Sequence, residues 1–190
     1  MKFIKDHEFI RGNCPMTKEE IRILAISKME LTKEHLVLDI GGGTGSVSIQ
    51  ASKFAKKVVT IEKDPEALEV LYQNKEKFQT DNVHVIEGEA LEVSEQINDL
   101  FDTIFVGGSG GDMEEILHTY GAKLKEGGNI VLTFITIKNL YIAYEILQNL
   151  GYTMACTQIQ VSQTKGKSLM LFAQNPIFIL WGKKEIQNEG

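Results

Sequence analysis

Apolar residues fall in short bursts along this chain, and their spacing alternates between continuous runs and helical intervals. Thr17-Lys18-Glu19-Glu20 has the spacing of a capping box, and Ile21, Leu24, Ala25 and Met29 then recur at helical intervals. They predict one helix within a lead-in segment, 1–34. Leu36-Val37-Leu38 reads as a strand that runs through the turn Asp39-Ile40-Gly41-Gly42-Gly43-Thr44-Gly45 into a helix carrying Val47, Ile49, Ala51 and Phe54. A second strand, 58–62, leads to Asp64-Pro65-Glu66, where Asp64 can cap and Pro65 can fill the first turn of a helix carrying Ala67, Leu68, Leu71 and Tyr72. The pattern predicts further strands over 83–86, 103–106 and 129–134. Between and after them it predicts a short polar helix over 91–97 and longer helices over 113–124 and 138–150.

Strands and helices in strict alternation imply an α/β fold with a mostly parallel sheet, because parallel strands need crossovers and right-handed ones place helices on both faces. Over 151–190 the pattern changes to two strand-like stretches, 154–162 and 177–181, which predict a terminal hairpin. A core of 35–150 closed in this way resembles the Rossmann-like class I S-adenosylmethionine-dependent methyltransferase fold. That resemblance implies one domain over 1–190 and a seven-stranded sheet with an antiparallel terminal strand.

Gly41, Gly43 and Gly45 permit positive backbone angles and close approach of a ligand to the main chain, and the helix start that follows offers unpaired amides. Glu62 ends the second strand about twenty residues later, where a carboxylate can accept both hydroxyl protons of a ribose. A dinucleotide fingerprint would carry its third glycine or alanine where this chain has Ser46. Gly41-x-Gly43-x-Gly45 instead resembles the methyltransferase spacing, although Ser46 is small enough that spacing alone leaves NAD open. In that superfamily Glu87-Gly88-Glu89-Ala90 occupies the adenine-contacting place, with Glu89 available to the exocyclic amine and Ala90 to the ring. Gly107-Gly108-Ser109-Gly110-Gly111, after the fourth strand, leaves room for a large substrate.

Composition narrows the classes. With 190 residues, 43% hydrophobic and 24% charged, the chain can build one complete core. A net charge of −6 argues against a protein that grips phosphate backbones, so no nucleic-acid partner is expected. No apolar run reaches the roughly 18 residues of a membrane span, and the start lacks a signal peptide's apolar core, so the expectation is a cytoplasmic protein with no membrane partner. Cys14 and Cys156 lack metal-ligand spacing and read as buried thiols; no metal site is expected.

A more specific resemblance lies in Arg11-Gly12-Asn13-Cys14-Pro15-Met16-Thr17-Lys18-Glu19-Glu20-Ile21-Arg22 joined to the glycine turn, with Phe105-Val106-Gly107-Gly108-Ser109-Gly110-Gly111 and Asn175-Pro176-Ile177-Phe178. Together these are similar to the decarboxylating cobalt-precorrin (carbon-15) methyltransferase family of cobalamin biosynthesis. The resemblance implies methylation of carbon 15 of a cobalt-corrinoid tetrapyrrole, loss of carbon dioxide from the acetate on carbon 12, and a homotetramer. It also implies contacts to S-adenosyl-L-methionine from Thr17, Gly41, Gly42, Gly43, Thr44, Gly45, Glu62 and Ala90. A substrate with many carboxylates needs local cations, for which Arg11, Lys18, Arg22, Lys165 and Lys167 are the candidates, beside Gly107, Gly108 and Ser109. No residue is singled out as the catalytic acid. A methyltransferase for tRNA or protein carboxyl groups, an NAD-dependent oxidoreductase and a noncatalytic nucleotide-binding module stand as alternatives.

Overall fold

Each of five strands carries two adjacent apolar residues that point to opposite faces, which produces a sheet covered on both sides. Val37 and Leu38, Val58 and Val59, Ile104 and Phe105, Ile130 and Val131, and Ile179 and Leu180 divide between two separate core clusters. The computed structural model describes residues 3–107 and 112–186. Its strands are β1 (Leu36–Ile40), β2 (Lys57–Glu62), β3 (Val83–Glu87), β4 (Phe101–Val106), β5 (Leu124–Phe134), β6 (Tyr152–Ile159), β7 (Ser162–Lys165), β8 (Met170–Ala173) and β9 (Ile177–Lys184). Seven of them form one sheet in the order β3-β2-β1-β4-β5-β9-β6. β9 runs antiparallel to both neighbours, and β1 to β5 pair in parallel. This is the Rossmann-like methyltransferase arrangement.

The helices are α1 (Glu19–Lys28), α2 (Ser46–Ser52), α3 (Pro65–Lys77), α4 (Met113–Gly121) and α5 (Ile137–Asn149). Ile21 and Ala25 of α1 join Val47 and Ala51 of α2 over one face, while Ile116, Leu117, Ala143 and Leu147 of α4 and α5 cover the other. Strand order reverses between β1 and its neighbours β2 and β4, so the chain crosses to opposite sides there and leaves a crevice at the strand ends. The glycine turn lies in that crevice.

Four local expectations change. Thr17 does not cap α1: the cap position is Lys18, and it makes no side-chain cap bond. The polar helix expected over 91–97 is only a 3-10 turn, Ser94–Gln96; Val93 and Ile97 both enter the core, and the Ser94 hydroxyl donates to the Leu91 carbonyl at 2.7 Å, competing with helical bonding. The terminal hairpin exists as β6 paired with β9, but β6 ends at Ile159. The next residues leave the sheet as the small β7–β8 hairpin, turned by Gly166 and Leu169 at positive φ. Finally, Cys156 is exposed and Cys14 half-buried, because β6 turns Cys156 outward and Cys14 borders a cavity.

Candidate active site

The glycine turn is shaped by bonds to the neighbouring strands. Gly41 and Gly42 both donate their amides to the Ile61 carbonyl at 3.0 Å, Gly45 donates to the Gly42 carbonyl, and Gly43 donates to Glu62 Oε2 at 2.7 Å. These glycine amides are therefore already engaged in shaping the turn, and the helix start expected to offer amides to a ligand begins after them, at Ser46. Gly42 must lack a side chain, since a Cβ there would lie 2.3 Å from Thr60 Oγ1. At Gly43, φ is +53° and a Cβ would lie 3.1 Å from the Pro15 carbonyl oxygen. The lead-in segment thus lies directly over the turn.

Asn74 fixes that segment. Its amide nitrogen donates to the Ile10 and Thr44 carbonyls at 2.8 and 2.9 Å, and its Oδ1 accepts the Ile10 amide at 2.8 Å. Sequence reading missed this residue; its one signal was an asparagine three positions after Leu71, on the apolar face of α3. Asp39 is a second missed contributor. Fully buried below the turn, its carboxylate accepts the Ser48 hydroxyl and ties β1 to α2. Burial pushes its pKa up to about 7, against the lowering effect of the Ser48 bond.

At the mouth, Glu62 accepts the amides of Lys63 and Asp64 through Oε1 at 2.8 and 2.9 Å, so both of its oxygens are oriented. Asp64 caps α3 as expected, accepting the Glu66 amide at 2.8 Å. Glu89 pairs with Lys63 at 2.5 Å, and the Ala90 carbonyl accepts the Tyr120 hydroxyl. Thr17, Gly41, Gly42, Gly43, Thr44, Glu62, Glu89 and Ala90 all border one cavity of about 240 Å³, and Gly107 closes its far side. Gly45 lies behind the lining, as the left-handed residue that starts α2.

A second cavity of about 520 Å³ shares Pro15, Thr17 and Gly107 with the first and is bordered by apolar Met16, Ile21, Phe134, Ile135 and Ile177. The candidate cations separate. Arg11, Lys18 and Lys165 border a third cavity next to the second, whereas Lys167 borders none of the three. Arg22 is no substrate contact. It is completely buried and donates to the carbonyls of Ile4 and Thr17 at 2.7 Å each and to Asp6 at 3.1 Å, and it stacks 4.8 Å from the Phe9 ring centre. Gly108 and Ser109 lie outside the described residues.

A nucleotide-sized cavity opening into a larger apolar one suits transfer between a bound cofactor and a bulky acceptor. Comparison with known proteins specifies the family. The precorrin methyltransferase domain matches residues 8–184. A probable cobalt-precorrin-6B C(15)-methyltransferase (decarboxylating) of Sulfolobus acidocaldarius is 43% identical over 188 residues, covering 96% of this chain and 97% of that one. The Salmonella typhimurium cobalt-precorrin-6B C(15)-methyltransferase (decarboxylating) is 39% identical, with 96% of each chain covered. The crystal structure of precorrin-6y C5,15-methyltransferase from Geobacter metallireducens superposes with a TM-score of 0.91 at 34% identity, over 96% of each chain. With a family model and full-length relatives spanning the same turn, mouth and lead-in segment, this chain belongs to the precorrin methyltransferase family.

Proposed function

We propose that this protein transfers a methyl group from S-adenosyl-L-methionine to carbon 15 of cobalt-precorrin-6B and removes the carboxyl group of the carbon-12 acetate as carbon dioxide. The observation that carries the reading is the junction of the two cavities at Pro15, Thr17 and Gly107, which sets a ligand in one directly beside a ligand in the other.

The residues present fit the cofactor. The Thr44 hydroxyl is buried, borders the first cavity and has no hydrogen-bond partner among the described residues, and at Gly43, where φ is +53°, a Cβ would crowd the Pro15 carbonyl oxygen at 3.1 Å. Thr17, the turn from Gly41 to Gly45, Glu62 and Ala90 would hold it, with Glu89 at the rim. Bound there, it supplies an electrophilic methyl on a sulfonium. The chain's own part is alignment and exclusion of water, which is most of what an in-line displacement asks of a protein. Decarboxylation draws on the macrocycle, whose conjugated ring accepts the electron pair left when the carboxyl departs.

The reading also carries a homotetramer in the cytoplasm. Exposed apolar side chains at Leu169, Met170, Leu171, Tyr141 and Ile137 support the assembly, and two free cysteines accord with a reducing compartment. Sedimentation measures the oligomer. Incubating the purified chain with both substrates and recording product mass tests the activity: one methyl gained and one carbon dioxide lost is the expected result. Methylation of tRNA or of protein carboxyl groups with no change in the tetrapyrrole would refute it.

A further inference from the structure

The third cavity, about 640 Å³, shares Lys18 and Gln174 with the apolar second cavity, so the two are continuous. Arg11, Lys18 and Lys165 line it together with the carboxylates of Asp6 and Glu19. Those acids are already committed. Asp6 pairs with the buried Arg22 at 3.1 Å, and Glu19 pairs with Lys5 at 2.7 Å. Glu20, close by on α1, accepts Gln163 of β7 at 2.9 Å, which anchors the β7–β8 hairpin over the cavity. Among the described residues Arg11, Lys18 and Lys165 enter no ion pair; Lys165 is held 5.1 Å from the Phe172 ring centre instead. Burial and then the nearby Arg11 charge lower the Lys18 pKa. Three cations without an ion pair of their own, set near acids of which Asp6 and Glu19 are paired elsewhere, leave the cavity short of directly paired negative charge, which an arriving anion can supply.

The neighbouring cavity is mostly apolar, with Met16, Ile21, Phe134 and Ile177 in its wall; its one charged lining residue among the described residues is Lys18, which borders both cavities, and its other polar side chains are neutral. A carboxylate loses carbon dioxide when its carbon–carbon bond breaks and the electron pair passes into the ring, after which a proton adds to the remaining carbon. An ion pair stabilises the carboxylate before that step and opposes it, whereas an apolar wall does not. Resting on the reaction proposed above, we propose that the cavity of Arg11, Lys18 and Lys165 grips peripheral carboxylates that the tetrapyrrole keeps, while the apolar cavity receives the acetate that it loses. The two cavities thereby set the orientation of the ring against the methyl donor.

Two probes test the grip: cobyrinic acid, a corrinoid with free peripheral carboxylates, and cobinamide, in which they are amides. The Arg11→Gln/Lys18→Gln/Lys165→Gln variant should bind cobyrinic acid at least about thirtyfold more weakly than wild type, with a shallower salt dependence, and should bind cobinamide equally. Calorimetry with S-adenosylhomocysteine verifies that the variant is folded. Equal affinity for cobyrinic acid in a folded variant overturns the grip. For the acetate, Ile135→Lys introduces a cation at a wall residue that is 75% exposed, with Ile135→Gln as the size control. The lysine variant should accumulate methylated product that still carries its carboxyl group, and an unchanged ratio of the two products overturns that assignment. A wild-type protein that binds cobyrinic acid through these cations yet leaves cobalt-precorrin-6B unmethylated removes the proposed reaction and spares the grip. Normal turnover with an unaffected triple variant does the reverse.

Discussion

The carboxylate of Glu62 accepts the amide of Gly43 at 2.7 Å, so the acid that ends β2 is bound to the turn that ends β1 before any ligand arrives. Its other oxygen is set by two amides that follow it in the chain. A fixed carboxylate can meet ribose hydroxyls without first losing rotamer freedom. Replacing it with alanine should therefore weaken S-adenosylhomocysteine about thirtyfold or more, the scale of hydrogen bonds to a charged group, while Glu62→Gln should lose about tenfold because it still accepts from Gly43. Calorimetric titration measures both. An alanine variant with wild-type affinity would remove Glu62 from the site.

Gly42 and Thr60 form a second coupled pair. An added Cβ at Gly42 would meet Thr60 Oγ1 at 2.3 Å and Leu71 Cδ1 at 3.2 Å. Gly42→Ala should destabilise the protein by about 2 kcal/mol, the usual scale of overpacking. The Thr60 hydroxyl has no hydrogen-bond partner among the described residues, so Thr60→Ala gives up chiefly one buried methyl, about 1 kcal/mol, and the double variant should recover most of the Gly42→Ala loss. Urea unfolding of the four proteins in the cycle measures the coupling. Additive losses would show that the turn relaxes by some other route.

The strands and the turn were legible because their signals are local. A continuous apolar run next to glycines encodes a buried parallel strand and its exit within a dozen residues, and Asp64-Pro65 marks a helix start in two. What the sequence concealed depends on distant partners. Asn74 clamps Ile10 from 64 positions away, and Arg22 reads as a surface cation until its acceptors at Ile4, Asp6 and Thr17 converge on it. Nothing in the chain separates Arg22 from Arg11, which is exposed and borders a cavity. The β7–β8 hairpin was hidden for a different reason: its strands of four residues are exposed along their length and carry no alternation.

Arg22 is better tested as a structural group. Removing it leaves the Ile4 and Thr17 carbonyls without the donor that now satisfies them and takes the partner from the part-exposed Asp6 carboxylate; a buried polar group left unsatisfied costs about 1–3 kcal/mol. Arg22→Met should therefore lower the urea midpoint sharply with little change in slope. Lysine should not rescue it, since one ammonium cannot reproduce the planar fork that reaches Ile4 and Thr17 while lying against Phe9. An Arg22→Lys protein as stable as wild type would contradict this assignment.

Asp39 should leave its mark on the pH dependence of stability. Its carboxyl titrates near 3.8 when solvated and about 7 when folded, because burial disfavours the anion more than the Ser48 bond favours it. Between those values the folded state holds a proton that the unfolded state has released. The stabilising contribution is thus complete below about pH 4 and is lost as pH rises towards 7. The shift corresponds to at most about 4 kcal/mol, which makes the buried anion a burden at neutral pH. Asp39→Asn still offers Ser48 an acceptor but cannot ionise, so the variant's stability relative to wild type should rise between pH 4 and 8. The amide nitrogen takes the place of an oxygen that has no hydrogen-bond partner among the described residues, which sets a penalty at acid pH and leaves the slope intact. Parallel stability curves for the two proteins across that range would mean that Asp39 stays ionised, and that the polar ground beneath the glycine turn compensates its charge more fully than the Ser48 bond alone can.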